Sequence, residues 1–310
     1  MPDYVTAFEM DFLKEMYYNP FLYDNFPQVY HYFNTFAQLL HMLQPCCTIL
    51  LEGCHYQQEI IAIISKNLSI PSICIQQGWP SLLHSCFRNM QYDCFFTWGD
   101  LFSYLWKRFN PIPNFVSTGY MYHILPSKEK RYVTFFLQGP LGISDKMYFR
   151  ALLDFLLQCA VLFPTQDFCV KAHPEYRISD DYKARLNRHG NIKDVSDEPI
   201  DEIYAETVLV VSHFSSCLME GIAHGCIPFV FDPTYESRYT PDIEKMELGI
   251  IADSIEDAVT KMETFLSDSF QREHFFKKMN ELQNDLFTSY GDDTIRRMVE
   301  YIKNIIDGNP

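Results

Sequence analysis

The sequence is short of positive charge and of regularly spaced cysteines, and each shortage excludes classes of protein. It has 25 lysines and arginines against 40 aspartates and glutamates, a formal net charge of -15. This excess of negative charge repels the phosphates of nucleic acids, so we exclude a nucleic-acid partner. The ten cysteines contain no C-x-x-C pair, which disfavours zinc sites and disulfide frameworks and favours free thiols in a reducing compartment. We expect the adjacent Cys46 and Cys47 to be buried in a core.

Motifs that identify two common classes of nucleotide-binding enzymes are also missing. No G-x-x-x-x-G-K-[ST] segment is present, which excludes a P-loop kinase, and the loop QGPLG at Gln138 is too short for a dinucleotide fingerprint. No D-x-D motif is present to bridge a metal ion to a diphosphate, and the acidic pairs at 180–181 and 292–293 are expected at helix starts or on the surface. We therefore predict that any reaction at this protein proceeds without a metal ion or other cofactor.

The amino terminus and the longest apolar run indicate neither export nor a membrane span. MPDYVTAFEMDF carries acidic residues where a signal peptide has a positive flank and then an apolar run. The run that starts at Ala151, ALLDFLLQCAVLF, is interrupted by Asp154 and Gln158 and is too short to cross a bilayer. We expect a cytoplasmic protein that is at most peripheral at the inner face of a membrane.

Short apolar strands alternate with helices in two consecutive series. The first contains TILLEG, SICIQQG, DCFFTWG and FVSTG, and the second contains YVTFFLQ, DFCVKAHP, TVLVVSH, IPFVFD and LGIIAD. Strands separated by helices predict parallel sheets. At 310 residues the chain exceeds the usual domain size of about 100 to 200 residues. We predict an α/β fold of two Rossmann-type domains that face a cleft: a shortened domain over residues 1–125, and a second over residues 126–310 whose last helix returns to the first.

Polar residues end the strands of the first series, where ligands of open α/β sheets bind. Glu52 is a candidate base that would take a proton from an acceptor hydroxyl, provided that burial keeps its pKa suitable. Capping of the next helix is the alternative role of Glu52, and Glu59 or Asp100 could take the catalytic place instead. Gln77, Trp79 and Asp100 are the candidates for contact with an acceptor.

The segment VSHFSSCLMEGIAHGCIPFVFDP, residues 211–233, gives the strongest signal for a binding site. Ser215 and Ser216 fall between a strand and a helix, where free backbone N–H groups, the helix dipole and the two hydroxyls favour a phosphate. Capping of the helix is the alternative role, and both roles can hold together. Ser212, at the strand end, is assigned to the same donor site.

A histidine follows another strand of the second series, in VKAHPEYR. His173 can donate a hydrogen bond or, when protonated, pair with a phosphate oxygen of a leaving nucleotide. Pro174 stops the strand and fixes the next turn. Lys171 could supplement the positive charge, and Gly139 lies at the end of the first strand of the same series. All four residues are candidates for donor binding.

These elements resemble the donor half of GT-B glycosyltransferases. The residues that match its S...E-x-x-A-x-G...P pattern are Ser215, Ser216, Glu220, Ala223, Gly225 and Pro228. The resemblance covers most of residues 130–310 and implies that Glu220 lies near the donor's ribose or its phosphate loop. The first half resembles the acceptor domain of that fold by layout alone.

The acidic-residue–glycine, His-Pro and Ser-Ser elements together resemble bacterial sialyltransferases and Kdo transferases of capsule and lipopolysaccharide assembly. The resemblance implies that Glu52 is the general base and that His173, Ser215 and Ser216 hold the phosphate of CMP. It further implies metal-independent transfer from a donor of the CMP-sialic acid or CMP-Kdo type to a cell-surface glycan or glycolipid.

Four other functions stay open. Transferases that use UDP- or GDP-sugars are one, and phosphotransferases that use CDP-polyols share the His-Pro and serine elements. A sugar-nucleotide 2-epimerase shares the two-domain architecture, but those enzymes resemble one another in an S-G-G sequence where this chain has Ser215 and Ser216. A non-catalytic scaffold of polysaccharide assembly is the last, and the polar strand ends argue against it. A retaining transferase would need a nucleophile, for which Asp100 and Asp232 are candidates.

Overall fold

Two parallel β-sheets, each flanked by helices, form the molecule. The computed structural model describes residues 26–51, 56–78, 89–138, 143–174, 176–213, 215–233 and 243–308. The predicted α/β class with two parallel sheets is confirmed. The predicted domain boundary stays a prediction, although residues 121–131, the expected linker, form neither helix nor strand.

The first sheet has four parallel strands in the order β1-β2-β3-β4. Its elements are α1 (Phe26–Leu43), β1 (Thr48–Leu51), α2 (Tyr56–Asn67), β2 (Ser72–Ile75), β3 (Cys94–Thr97), α3 (Asp100–Lys107) and β4 (Asn114–Ser117). The two central strands, SICI and CFFT, are buried at every residue, as apolar strands covered on both faces must be. Because all four strands run the same way, their carboxyl ends share one edge.

The second sheet has six parallel strands in the order β10-β9-β8-β5-β6-β7. Its strands are β5 (Tyr132–Phe136), β6 (Phe168–Lys171), β7 (Ile192–Asp194), β8 (Thr207–Ser212), β9 (Ile227–Phe231) and β10 (Ile250–Ala252). The helices of this half are α4 (Ile143–Leu162), α5 (Asp180–Leu186), α6 (Ile200–Glu206), α7 (Ser216–Ala223), α8 (Ile255–Ser267), α9 (Ser269–Leu286) and α10 (Gly291–Ile306). The chain runs outward from β5 to β7, then crosses to β8 on the other side of β5. The strand order therefore reverses between β5 and β8, which is where ligands bind in sheets of this kind.

The last two helices carry the chain back to the first sheet, which confirms the predicted return of the closing helix. In the connection between these two helices, the carbonyl of Ser289 accepts a hydrogen bond from the N–H of Tyr120 at 2.9 Å. Helix α10 then packs Met298 against Ile73 and Phe96 of the first sheet. The two halves are thus joined by main-chain hydrogen bonds and by a shared apolar cluster as well as by the linker.

Two smaller features complete the fold. Cys46 is exposed and Cys47 is half-buried, so the prediction that both belong to a core is wrong, because they lie in the short connection between α1 and the edge strand β1. Within the described residues, no helix combines the length and the apolar character needed to cross a bilayer.

Candidate functional site

Ser212 lies at the carboxyl end of β8, at the point where the strand order of the second sheet reverses. It is fully buried, and its hydroxyl donates to the carbonyl of Phe136 at 2.7 Å. This bond joins the carboxyl end of β8 to that of β5. The hydroxyl of Ser212 thus serves the sheet, and its contact with a donor stays a prediction.

His213 follows at the same strand end and is 8% exposed. Its Nδ1 lies 2.7 Å from the carbonyl oxygen of Phe231, the last residue of β9. A carbonyl oxygen can only accept, so Nδ1 of His213 donates this hydrogen bond. His213 was not among the residues predicted for the site, although its place directly after the strand and before the serines is a signal that could have found it.

Helix α7 begins shortly after this strand end. Ser215 is its N-cap in an extended conformation, and its hydroxyl oxygen accepts from the N–H of Cys217 at 3.3 Å. The capping role of Ser215 is therefore confirmed. The other N–H groups in the first turn of a helix have no acceptor within that helix, and they give its start a partial positive charge. Because α7 begins shortly after β8, this positive end lies beside the point where the strand order reverses.

Glu220 lies on α7, one turn after Ser216. Burial raises the pKa of Glu220 above its usual range, and the hydroxyls of Ser216 and of Tyr120, which follows β4, oppose that rise. The contact of Glu220 with a donor, which the GT-B resemblance implies, stays a prediction.

The predicted residues at the end of β6 and directly after it differ in their exposure and in their hydrogen bonds. His173 and Pro174 are exposed, and the imidazole of His173 lies 5.7 Å from the ring of Tyr176. Lys171 instead donates to the carbonyls of Ser196 and Glu198, each at 2.9 Å. Two of its three ammonium protons therefore hold the loop after β7.

The edge of the first sheet meets α7 at Gly78. Gln76 is buried, accepts from the N–H of Trp98 at 2.8 Å and donates to the carbonyl of Gly78 at 3.0 Å. A Cβ atom added to Gly78 would lie 3.4 Å from Cβ of Ser216, an ordinary van der Waals contact. Strand ends of the first sheet and the start of α7 therefore face each other, with Gln77 exposed beside them.

A chain of hydroxyls lies farther along the same edge of the first sheet. The hydroxyls of Thr97 and Ser103 are 2.7 Å apart, and those of Ser103 and Ser117 are 3.1 Å apart. Ser117 donates in turn to the carboxylate of Asp100, which is exposed at the start of α3. Such a polar surface can hydrogen-bond a hydroxylated acceptor, the role predicted for Asp100.

The remaining predicted residues are placed as follows. Glu52, Trp79 and Gly139 lie outside the described residues. Asp232, an alternative nucleophile, is fully buried at the end of β9.

In the part of the chain that the structure describes, no group of three or more His, Cys, Asp or Glu side chains could hold a metal ion. Metal independence stays a prediction.

Solved structures resemble the chain over most of its length, although no protein-family model and no curated relative matches it. The UDP-GlcNAc 2-epimerase of Neisseria meningitidis bound to UDP-GlcNAc is 10% identical with a TM-score of 0.62, covering 89% of this chain and 81% of that one. MurG of Acinetobacter baumannii is 12% identical with a TM-score of 0.57, covering 88% and 77%. The wall teichoic acid polymerase TagF is 12% identical with a TM-score of 0.53, covering 79% and 70%. At such identities the similarity establishes the fold alone, and the GT-B-like fold predicted from the sequence is confirmed.

Proposed function

We propose that the chain is an enzyme that acts on a nucleotide-activated sugar, with the nucleotide phosphate bound at the start of α7. The main support for this proposal is the position of the start of α7. It lies at the point where the strand order reverses, and it also lies opposite the first sheet at Gly78. Reversals of strand order and helix N-termini are each favoured places for phosphate groups. Solved structures of the same fold include enzymes that bind UDP-GlcNAc.

The small number of cations at this place favours a donor with little negative charge. Residues 137–143, which follow β5 in the sequence, and residues 213–215, which follow β8, include no lysine or arginine, and Lys171 is occupied by two carbonyls. Backbone N–H groups, serine hydroxyls and the imidazole of His173 would therefore stabilise the ligand. This supports the single phosphate of a CMP-sugar, which the sequence resemblance also favours, over the diphosphate of a UDP- or GDP-sugar.

Glycosyl transfer is the reaction that we favour. An acceptor hydroxyl, held near Gln77 and Asp100, would lose its proton to Glu52 while its oxygen bonds to the anomeric carbon of the donor. The bond from that carbon to the phosphate oxygen breaks, and His173 with the N–H groups of α7 stabilises the departing nucleotide. A cell-surface glycan or glycolipid is the proposed acceptor, and no metal ion takes part.

Epimerisation of a nucleotide-sugar is the second candidate, and the comparisons favour it. The Neisseria epimerase has a higher TM-score with this chain, 0.62, than MurG, 0.57, or TagF, 0.53. Ser215 and Ser216 in place of S-G-G argue for transfer. Incubation with UDP-GlcNAc in the absence of any acceptor separates the two candidates, because the epimer then forms only if the protein is an epimerase.

Calorimetric titration with CMP, CDP, UDP and GDP, with and without EDTA, tests the proposal. We expect CMP to bind most tightly, EDTA to change nothing, and His173→Ala to weaken binding about tenfold, roughly 1.4 kcal/mol. His31→Ala, at an exposed histidine on α1, is the control and should bind like wild type. Preference for UDP or GDP would indicate a UDP- or GDP-sugar as the donor in place of a CMP-sugar. Failure of all four nucleotides to bind would overturn the proposal.

A further inference from the structure

A buried glutamine holds the turn by which the first domain approaches the start of α7. Gln76 directly follows β2 and is 1% exposed. Its side-chain carbonyl oxygen accepts from the N–H of Trp98 at 2.8 Å, and its side-chain amide donates to the carbonyl of Gly78 at 3.0 Å. One side chain therefore joins the residue that follows β3 to the turn that follows β2.

Trp98 is the fixed end of this connection. It is 1% exposed, and its ring meets that of Tyr120 edge-on at 5.3 Å. Its carbonyl accepts from the N–H of Thr288, in the connection between α9 and α10, at 2.9 Å. Ring packing and the returning main chain thus hold Trp98, and Gln76 extends this support to Gly78.

Gly78 is the point at which the turn meets the second domain. A Cβ atom added to Gly78 would lie 3.4 Å from Cβ and 3.8 Å from the hydroxyl oxygen of Ser216, the first residue of α7. Apart from the chain neighbours of Gly78, no other atom of the described residues would lie within 4 Å of it. A side chain at this position would therefore extend from the first domain towards the first turn of α7.

We propose that the main chain at Gly78 lies against the nucleotide phosphate, and that Gln76 is the positioning residue that fixes Gly78 there. The inference rests on the proposed function, because it concerns the same phosphate site. It gives that site one side in each domain, with the start of α7 opposite the Gly78 turn. Gln76 touches no ligand in this role and acts only through the carbonyl of Gly78.

Gln76→Met tests the positioning role. Methionine has a similar size and fills the same buried space, but it cannot donate a hydrogen bond to the carbonyl of Gly78. The dissociation constant of CMP is measured by calorimetry for wild type and the variant. Loss of the bond lets the Gly78 turn shift, so we expect CMP to bind about fivefold more weakly.

Asn110→Leu is the matched control, because Asn110 makes the same two kinds of bond elsewhere in the first domain. Its fully buried side chain accepts from the N–H of Met90 at 3.0 Å and donates to the carbonyl of Trp106 at 2.9 Å. It lies between α3 and β4, at the amino edge of the sheet, whereas Gly78 lies at the carboxyl edge. We expect both variants to unfold at lower urea concentrations than wild type, and Asn110→Leu to bind CMP like wild type.

Gly78→Leu tests the position of the phosphate directly. The added side chain would extend towards the first turn of α7 and occupy space beside the phosphate, so we expect CMP affinity to fall about tenfold. Gly190→Leu is its control. A Cβ atom at Gly190 has no heavy atom within 4 Å, and this variant should bind CMP like wild type.

The possible outcomes separate this inference from the proposed function. Wild-type CMP affinity in folded Gln76→Met or in folded Gly78→Leu would overturn the inference and leave the proposed function intact. Equal weakening in Gln76→Met and Asn110→Leu would do the same, because the effect would then come from a looser first domain. A wild-type protein that binds none of the four nucleotides would overturn both. If Gln76→Met does not fold, as judged by circular dichroism, Gly78→Leu and its control decide the question.

Discussion

At the scale of single residues, His224 is the group whose chemistry the fold changes most clearly. It is 7% exposed at the end of α7, and its ring stacks on Tyr204 at 4.7 Å and meets the ring of Tyr120 edge-on at 6.2 Å. Burial, and then the positive charge of Lys130, lower the pKa of His224 from 6.5 to about 4. The folded protein therefore keeps this imidazole neutral over a range in which the unfolded chain protonates it.

Acidification should destabilise the protein through His224. Between pH 6.5 and about 4 the unfolded state binds the extra proton, so the free energy of unfolding falls as pH falls, and the loss levels off below the folded pKa. Between pH 7 and pH 5 we expect a loss of about 2 kcal/mol from this residue. Urea unfolding of wild type and His224→Phe at both pH values measures it, because the variant keeps a ring in the stack but cannot titrate. An equal pH dependence in the two proteins would contradict the prediction.

At the scale of elements, the conformation of the chain just after helix α7 explains why a glycine stands there. Gly225 has φ +69, the left-handed conformation that ends many helices. Its N–H donates to the carbonyl of Ile222 at 2.9 Å, and the next N–H, of Cys226, donates to that of Gly221 at 2.7 Å. These two bonds satisfy carbonyls that the helix itself leaves without donors. The glycine in the A-x-G part of the motif is therefore explained by the backbone.

Gly225→Ala tests this account, with Gly190→Ala as its control. A Cβ atom at Gly225 would find room, since its nearest neighbour is Lys130 Cε at 3.8 Å, so the cost comes from the positive φ alone. We expect a loss of about 1 kcal/mol in the free energy of unfolding. Gly190 has no heavy atom within 4 Å of an added Cβ, and its substitution should change stability by less than about 0.5 kcal/mol. Equal midpoints for the two variants in urea would contradict the prediction.

The same segment shows how far sequence reasoning reaches. Strand β8, helix α7 and strand β9 follow from local apolar runs, from Ser215 as a cap and from Gly225 as a stop, so their positions could be predicted. The bond of Ser212 to Phe136 joins residues 76 positions apart, and no local pattern specifies it. For that reason Ser212 was assigned to the donor.

At the scale of the whole molecule, the first sheet depends on the end of the chain for part of its core. A Cβ atom at Gly99 would collide with the main chain of Asp285 and Leu286, so the loop after β3 and the end of α9 are packed backbone to backbone. Met298 of α10 is 6% exposed and belongs to the same apolar cluster as Ile73 and Phe96. The first domain therefore completes its core with residues that come at least 186 positions later in the chain.

Met298→Ala should loosen the first domain more than the second. The variant removes most of a side chain buried against the first sheet, which typically costs about 2 to 5 kcal/mol. All three tryptophans, Trp79, Trp98 and Trp106, lie in the first half of the sequence, so their fluorescence reports on that half, whereas far-ultraviolet circular dichroism reports on the whole molecule. Urea transitions followed by the two signals should coincide in wild type, and in Met298→Ala the fluorescence midpoint should fall below the dichroism midpoint.

Met262→Ala supplies the opposite case for the same experiment. Met262 is fully buried in α8, a helix that packs on α4 and β10 of the second half, so its loss costs a similar amount but acts on that half. Its dichroism midpoint should therefore fall at least as far as its fluorescence midpoint. If Met298→Ala left the fluorescence transition where it is in wild type, the packing of α10 would not stabilise the first sheet. If both variants moved both signals together, the two domains would unfold as one cooperative unit, and the contacts of Tyr120 with the returning chain would be strong enough to couple them fully.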